Sequence, residues 1–319
     1  MPQNLTPKAF QTLKKLTHHG DAGANNQGIY LTKHLPTAKV YVEKRLLPCH
    51  AAKREIRAMC LCNPHPHLVS IFTWTPQSSR SSLTSTISIY MQHCELGSLD
   101  TLILRFNAHA TRLPDEGFVL RVFWHLALAL CYLSTGADYA STRYRAIRGQ
   151  SAVKKQGWDA MLHGDIKPGN VFLTRDRACK GADAHTPYPC VVLGDFGCVR
   201  ASEEQCSRHA RVLGRGDPRF EAPEREPSVF GDVFSVGLVL HCLARMVQVP
   251  DGLLLPDRPL GRRYAGSKYL AQTVRACLAR TPEQRPSPLE LPKLVFEGYR
   301  VWRQTRGCDG VALPKWAFG

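Results

Sequence analysis

From Gly28 to about Met91 apolar and polar residues alternate, the two-residue period of half-buried strands. Ile29-Tyr30-Leu31, Val40-Tyr41-Val42 and Ile87-Ser88-Ile89-Tyr90 read as strands, and a helical stretch from Ala51 to Leu61 interrupts them. After Gly97 the spacing becomes helical. Phe118 to Leu133 is apolar almost all round, which predicts a core helix. Val233 to Val249, the longest apolar run, contains His241 and Arg245 and is short for a bilayer span, so it reads as a second buried helix. A small strand-rich half therefore precedes a large helix-rich half, with the change between Cys94 and Ser98. That is an α+β, two-lobed layout.

Residues 1–15 read as a polar N-terminal extension and residues 301–319 as a tail. Ala137 to Asp159, with Arg143, Arg145, Arg148, Lys154 and Lys155, and Thr174 to Pro187 are polar enough to be expected as surface loops.

Composition narrows the classes. With 319 residues, 44% of them apolar, the chain can bury a large core. The net charge of +16, from 42 Lys+Arg against 26 Asp+Glu, favours acidic partners. No basic motif interleaved with aromatics points to nucleic acid, and no membrane partner is expected. The 12 cysteines are scattered without zinc-ligand spacing. Met1 to Lys15 lacks the apolar centre of a signal peptide, so reduced thiols and a cytoplasmic or nuclear location are expected.

The chemistry concentrates in four places. His163-Gly164-Asp165-Ile166-Lys167-Pro168-Gly169-Asn170 supplies a carboxylate, a cation two residues on and an amide three after that. Phosphoryl transfer needs a base to orient the attacking hydroxyl, a cation to offset phosphate charge and an amide oxygen for Mg²⁺. Leu193-Gly194-Asp195-Phe196-Gly197 follows a strand and ends it on a second carboxylate able to bridge Mg²⁺ and phosphate. Ala222-Pro223-Glu224 and Arg285 offer a buried bidentate ion pair, with Asp232 between them at the start of the apolar run. Lys44 on a strand, with Glu55 eleven positions later in the helical stretch, offers a phosphate-binding lysine and its partner.

Taken in order and spacing, these motifs resemble the eukaryotic protein kinases over about Leu16 to Tyr299. Lys167-Pro168-Gly169-Asn170 is similar to the Ser/Thr branch. Tyr41-Val42-Glu43-Lys44, His65-Pro66-His67-Leu68-Val69 and Cys94-Glu95-Leu96-Gly97-Ser98-Leu99 are most similar to the NIMA-related kinases. The resemblance implies a small β-rich lobe over 16–93, a helical lobe over 94–300, ATP and Mg²⁺ as cofactors, and a protein with Ser/Thr acceptors as partner. Asp165 would then be the catalytic base, with Lys167 steadying the γ-phosphate and Asn170 and Asp195 holding the metal. Gly23, Gly28 and Ile29 would cover the nucleotide. Lys44, held by Glu55, would bind its phosphates, and Val42 and Phe172 would sandwich adenine. Met91 would be the gatekeeper, followed by the backbones of Gln92 and Cys94. Met59, Ile71, His163 and Phe196 would form an apolar spine.

Four positions depart from the family. The phosphate loop, His19 to Ile29, reads HGDAGANNQGI, with Gln27 in place of its last glycine. Val42 replaces Ala. Gly164 replaces the Arg that reads activation-loop phosphate, and Ser202 and Ser207 are the only hydroxyls between Gly197 and Ala222. Asp217 replaces Thr, and its carboxylate is expected either to crowd Asp165 and Lys167 or to turn away and cap a turn with Pro218. Two readings follow: an active Ser/Thr kinase, or a pseudokinase that binds nucleotide as a scaffold. The Ala-Pro-Glu segment, a peptide platform in the family, disfavours a small-molecule phosphotransferase.

Overall fold

In the computed structural model the described residues are 9–16, 26–77, 85–175, 186–201, 216–252, 258–264, 267–306 and 310–319. Gly20, Gly23, Ser202, Ser207 and most of the expected loop from Thr174 to Pro187 lie outside them. The chain divides into two compact units, the first ending at His93 and the second beginning at Cys94.

The first unit is an antiparallel sheet of β1 (Phe10–Lys15), β2 (Asn26–His34), β3 (Val40–Leu46), β4 (Ile71–Gln77) and β5 (Thr86–Gln92), in the order β1-β2-β3-β5-β4, with α1 (His50–Leu61) between β3 and β4. Three strands and the helix match the alternation read from the sequence. β1 does not: residues expected to form an extension add an edge strand instead. Phe10 explains it. Its ring stacks on Tyr90 at 3.7 Å and meets His34, whose neighbour Phe72 stacks on Tyr41. That aromatic layer binds the strand to the sheet despite its exposed polar residues.

The second unit is helical. It contains α2 (Leu99–Ala108), α3 (Gly117–Thr135), α4 (Tyr139–Ile147), α5 (Val229–Arg245), α6 (Lys268–Cys277) and α7 (Leu291–Arg306). Between α4 and α5 run four short strands, β6 (Met161–Leu162), β7 (Val171–Thr174), β8 (Cys190–Leu193) and β9 (Arg200–Ala201), paired β6 with β9 and β7 with β8. α3 is long and apolar enough to cross a membrane, but 94% of that window is buried inside the protein, so it is the core helix its composition implies. α5 likewise is buried along most of its length and starts on the Ser228 cap, whose Oγ accepts from Gly231 N–H at 2.9 Å.

Three expectations are corrected here. The stretch Ala137 to Asp159 is not a loop, because Asp138 caps α4 through Ser141 N–H at 2.8 Å and Thr142 and Ala146 are buried. Trp158 closes the segment onto α3, donating from Nε1 to Leu133 O at 3.0 Å. The tail is not separate either. α7 runs through to Arg306, and Trp316 stacks on His109 at 4.1 Å while Ala317 O accepts from Arg105. Finally, Cys190 is disulfide-bonded, so not every cysteine is a reduced thiol.

The end of α3 is sterically fixed. Gly136 adopts φ 64°, and a Cβ there would overlap the Trp158 ring. Gly136→Ala is expected to cost about 2 kcal/mol, combining left-handed strain with displaced packing. Urea unfolding of the variant beside wild type measures it, and an unchanged midpoint would show that Trp158 can yield.

Candidate active site

In the first unit, register decides which side chains share a face. β3 pairs with β5 so that Val42 lies opposite Met91 and Lys44 opposite Ile89, and β2 brings Ile29 opposite Lys44. Successive residues of a strand point to opposite faces, so Ile29, Val42, Lys44 and Met91 all lie on one face. Lys44 meets Glu55 of α1 there, with Nζ 2.7 Å from Oε1 and both side chains nearly buried. Burial makes this pair costly to break, because either charge left alone would be desolvated without compensation.

The opposite face carries the brace. Glu43 is 1% exposed and accepts from Ser88 Oγ at 2.7 Å and from both Nε and Nη2 of Arg45, whose guanidinium also lies 4.1 Å from the Tyr30 ring centroid. This network pins β3 to β5 and so fixes where Lys44 points. Sequence reasoning passed over Glu43. The signal was available: a glutamate at an inward position of a strand needs donors, and Arg45 two residues on shares its face.

The remaining first-unit candidates are less gathered. Gly28 sits at a β2 bulge with φ 138°, donating its N–H to Asn26 Oδ1 at 2.9 Å. Gln92 donates its N–H to Ser70 O at 2.9 Å. Met59 and Ile71 are buried.

In the second unit the residues around Asp165 converge tightly. Asp165 Oδ2 accepts from Lys167 Nζ at 2.9 Å and from Asn170 Nδ2 at 2.9 Å, and Asn170 Nδ2 also donates to Asp165 O at 2.8 Å. Because Nδ2 makes both bonds, the amide oxygen of Asn170 is the end turned away from Asp165. Asp195 lies close by through the β7–β8 ladder: Val171 pairs with Leu193, and Gly194 N–H donates to Asn170 O at 2.9 Å. Asp195 is exposed and takes φ 62°, where its carboxylate caps the turn at Phe196–Cys198. Phe172 is half-buried on β7. Burial first, then the Asp165 and Asp195 charges, push the Cys198 thiol up to about 11, which disfavours its thiolate form.

The loop carrying Asp165 hangs from Asp232. This acid, 6% exposed on α5, accepts from His163 N–H at 2.7 Å and from Gly164 N–H at 3.0 Å. Burial pushes its carboxyl up, against the pull of the His163 ring and the two backbone donors. His163 in turn reaches Gly194 O through Nε2 at 3.1 Å and packs on Phe196 at 5.5 Å. Gly164 takes φ 74°, which an arginine could hold only with strain.

Asp217 falls on the second of its two expected courses. Its carboxylate does not crowd Asp165. It turns to Arg219, accepting from Nε at 2.9 Å, Nη2 at 2.6 Å and the backbone N–H at 3.1 Å. The Arg219 bond, outweighing partial burial, holds the Asp217 carboxyl below its usual range. Its backbone N–H, however, donates to Asp165 Oδ1 at 2.8 Å. Gly216 makes that approach possible, since a Cβ there would overlap Gly164 O. Neither backbone role was visible beforehand.

Arg285 and Glu224 form the expected bidentate pair, 2.7 Å at each contact, with the Arg285 side chain fully buried and its remaining donors on Ala279 O, Phe230 O and Arg280 O. Partial burial of Glu224 would raise its pKa, but the Arg285 bonds and charge together hold it below the ordinary carboxylate value. A depressed carboxyl pKa adds stability that is present above the unfolded-state value and lost as pH falls through the folded one. Glu224→Gln is therefore expected to unfold at a lower temperature than wild type at pH 7, with the gap closing below about pH 4.5. Thermal unfolding from pH 7 to pH 3 tests this; a gap independent of pH would mean the charge of Glu224 is not what Arg285 holds.

Known proteins bear on this geometry. No family model matches the chain. The chain is 26% identical over 231 residues to the interferon-induced, double-stranded RNA-activated protein kinase of Rattus norvegicus, covering 66% of this chain and 37% of that protein. It is 26% identical over 253 residues to the G2-specific protein kinase nim-1 of Neurospora crassa, covering 72% of this chain and 26% of that one. It is 25% identical over 304 residues to the serine/threonine-protein kinase Nek4 of Mus musculus, covering 88% of this chain and 32% of that one. The chain thus spans less than half the length of these relatives.

Proposed function

We propose that this chain, a protein kinase domain most like the NIMA-related kinases, transfers the γ-phosphate of ATP to Ser/Thr hydroxyls of a protein, with Mg²⁺. The observation that carries the reading is the convergence on Asp165, where Lys167 and Asn170 both lie 2.9 Å from one carboxylate oxygen.

Each group suits its task. Asp165 is an oriented carboxylate able to accept the proton of an acceptor hydroxyl. Lys167, only partly buried, is free to swing its ammonium from Asp165 to a phosphate oxygen. The Asn170 amide oxygen and the Asp195 carboxylate make a hard oxygen donor set, which fits Mg²⁺. When bound, that ion neutralises phosphate charge. Lys44, steadied by Glu55, is the candidate for the α- and β-phosphates. Val42, Ile29, Met91 and Phe172 are candidates for the apolar walls around adenine, with the Gln92 and Cys94 backbones for its polar edge and Gly23 and Gly28 for the cover.

The alternative is a nucleotide-binding scaffold without turnover. One observation favours it: Asp217 N–H already occupies Asp165 Oδ1, which leaves Oδ2, shared with Lys167 and Asn170, to meet an acceptor hydroxyl. Incorporation of labelled phosphate into a generic acceptor protein separates the two. Wild type is expected to label it, with activity lost in EDTA and falling at least about a hundredfold in Lys44→Met and in Asp195→Ala. A wild-type signal no greater than that of Asp195→Ala would leave the scaffold.

A further inference from the structure

We propose that a basic cleft in the helical unit, between the loop Arg258–Tyr264 and α6, binds an acidic segment of a protein partner. Calling that partner a phosphoryl acceptor rests on the kinase reading; the binding itself does not.

Lys268, Gln272 and Arg275 recur at i, i+4 and i+7, so they project from one face of α6, and Arg258 and Arg262 line the same cleft from the loop. Leu260 and Tyr264, 3% and 4% exposed, lie beneath as an apolar floor. No carboxylate lines the cleft among the described residues. The local sequence is basic: Asp257 is the last acid before the cleft residues, and from Arg258 to Arg280 there are six Lys or Arg and no Asp or Glu. Arg258, Arg262 and Lys268 form no ion pair among the described residues. Converging like charges repel, and an anion relieves that cost.

The loop is held before any ligand arrives. Pro259 O accepts from His241 Nδ1 at 2.6 Å, and His241 Nε2 accepts from Asp251 N–H at 3.1 Å. Arg263 is turned elsewhere, donating to Leu113 O at 2.5 Å. Little ordering of backbone is therefore needed on binding.

Length and chemistry select the occupant. Lys268 and Arg275 are separated by about 10 Å along the helix at 1.5 Å per residue, which matches about three residues of an extended chain. Guanidinium groups pair with carboxylates in a bidentate fork. A short extended run of Asp or Glu meets both conditions. Single-stranded nucleic acid would need an aromatic platform for its bases, and Tyr264, the aromatic residue lining the cleft, is buried.

The test is fluorescence anisotropy on the whole chain, with labelled oligo-glutamate, its oligo-glutamine counterpart and a single-stranded RNA as probes. One variant combines Arg258→Gln, Arg262→Gln, Lys268→Gln and Arg275→Gln. A control removes as many charges elsewhere, at the exposed positions Lys39, Lys53, Lys154 and Arg306, each changed to Gln. Should the cleft variant unfold early, Arg262→Gln with Lys268→Gln replaces it. Oligo-glutamate is expected to bind wild type and oligo-glutamine not to. Affinity should fall about tenfold or more in the cleft variant and about twofold or less in the control. Equal losses in both variants, no oligo-glutamate binding, or tighter RNA binding with the same sensitivity to the cleft substitutions would each overturn the proposal. None of these readouts uses turnover, so the result stands whether or not the chain is an active kinase.

Discussion

A buried carboxylate without a lysine or arginine partner among the described residues is expensive, and Asp232 is made tolerable by two backbone N–H groups that point at it and by the pull of the His163 ring. Those donors belong to His163 and Gly164, directly before Asp165. The requirement to satisfy Asp232 therefore shapes the loop that carries the proposed catalytic residues. With His163 and Gly164 fixed, Asp165 emerges at a set angle, the Pro168–Asn170 turn folds Asn170 back onto it, and the β7–β8 ladder brings Asp195 alongside. α5 thus supports the loop by its electrostatics as well as its apolar surface.

The first unit solves a comparable problem differently. Lys44 is nearly buried and needs both a charge partner and a fixed direction. One acid, Glu55, answers the charge. A second, Glu43, sits one residue away on the other face and ties the strand to its neighbour through Ser88 and Arg45. Two glutamates flank one lysine in space with separate tasks, one of pairing and one of positioning.

Much of this was legible in the sequence where side-chain identity does the work. The alternation around Val40–Val42 and Ile87–Tyr90, the all-apolar run of α3 and the motifs at Asp165, Asp195, Glu224 and Arg285 each leave a periodic or compositional mark. What stayed hidden depends on the third dimension. β1 reads as polar because its anchor is the one ring of Phe10, and α4 reads as a loop because only Thr142 and Ala146 of its nine residues face inward. Asp217 was read as a carboxylate, whereas its contact with Asp165 is made by its amide, which no residue letter announces.

That amide contact has an evolutionary side. A bond donated by the main chain survives replacement of the residue that carries it, provided the turn is kept. The turn depends on a residue without a side chain at 216 and on the Asp217–Arg219 clasp. Selection at this point would act on backbone shape, leaving the identity of residue 217 to drift wherever another side chain can hold the same bend. A substitution that looks inactivating in an alignment of letters can then leave the hydrogen bond to the carboxylate where it was.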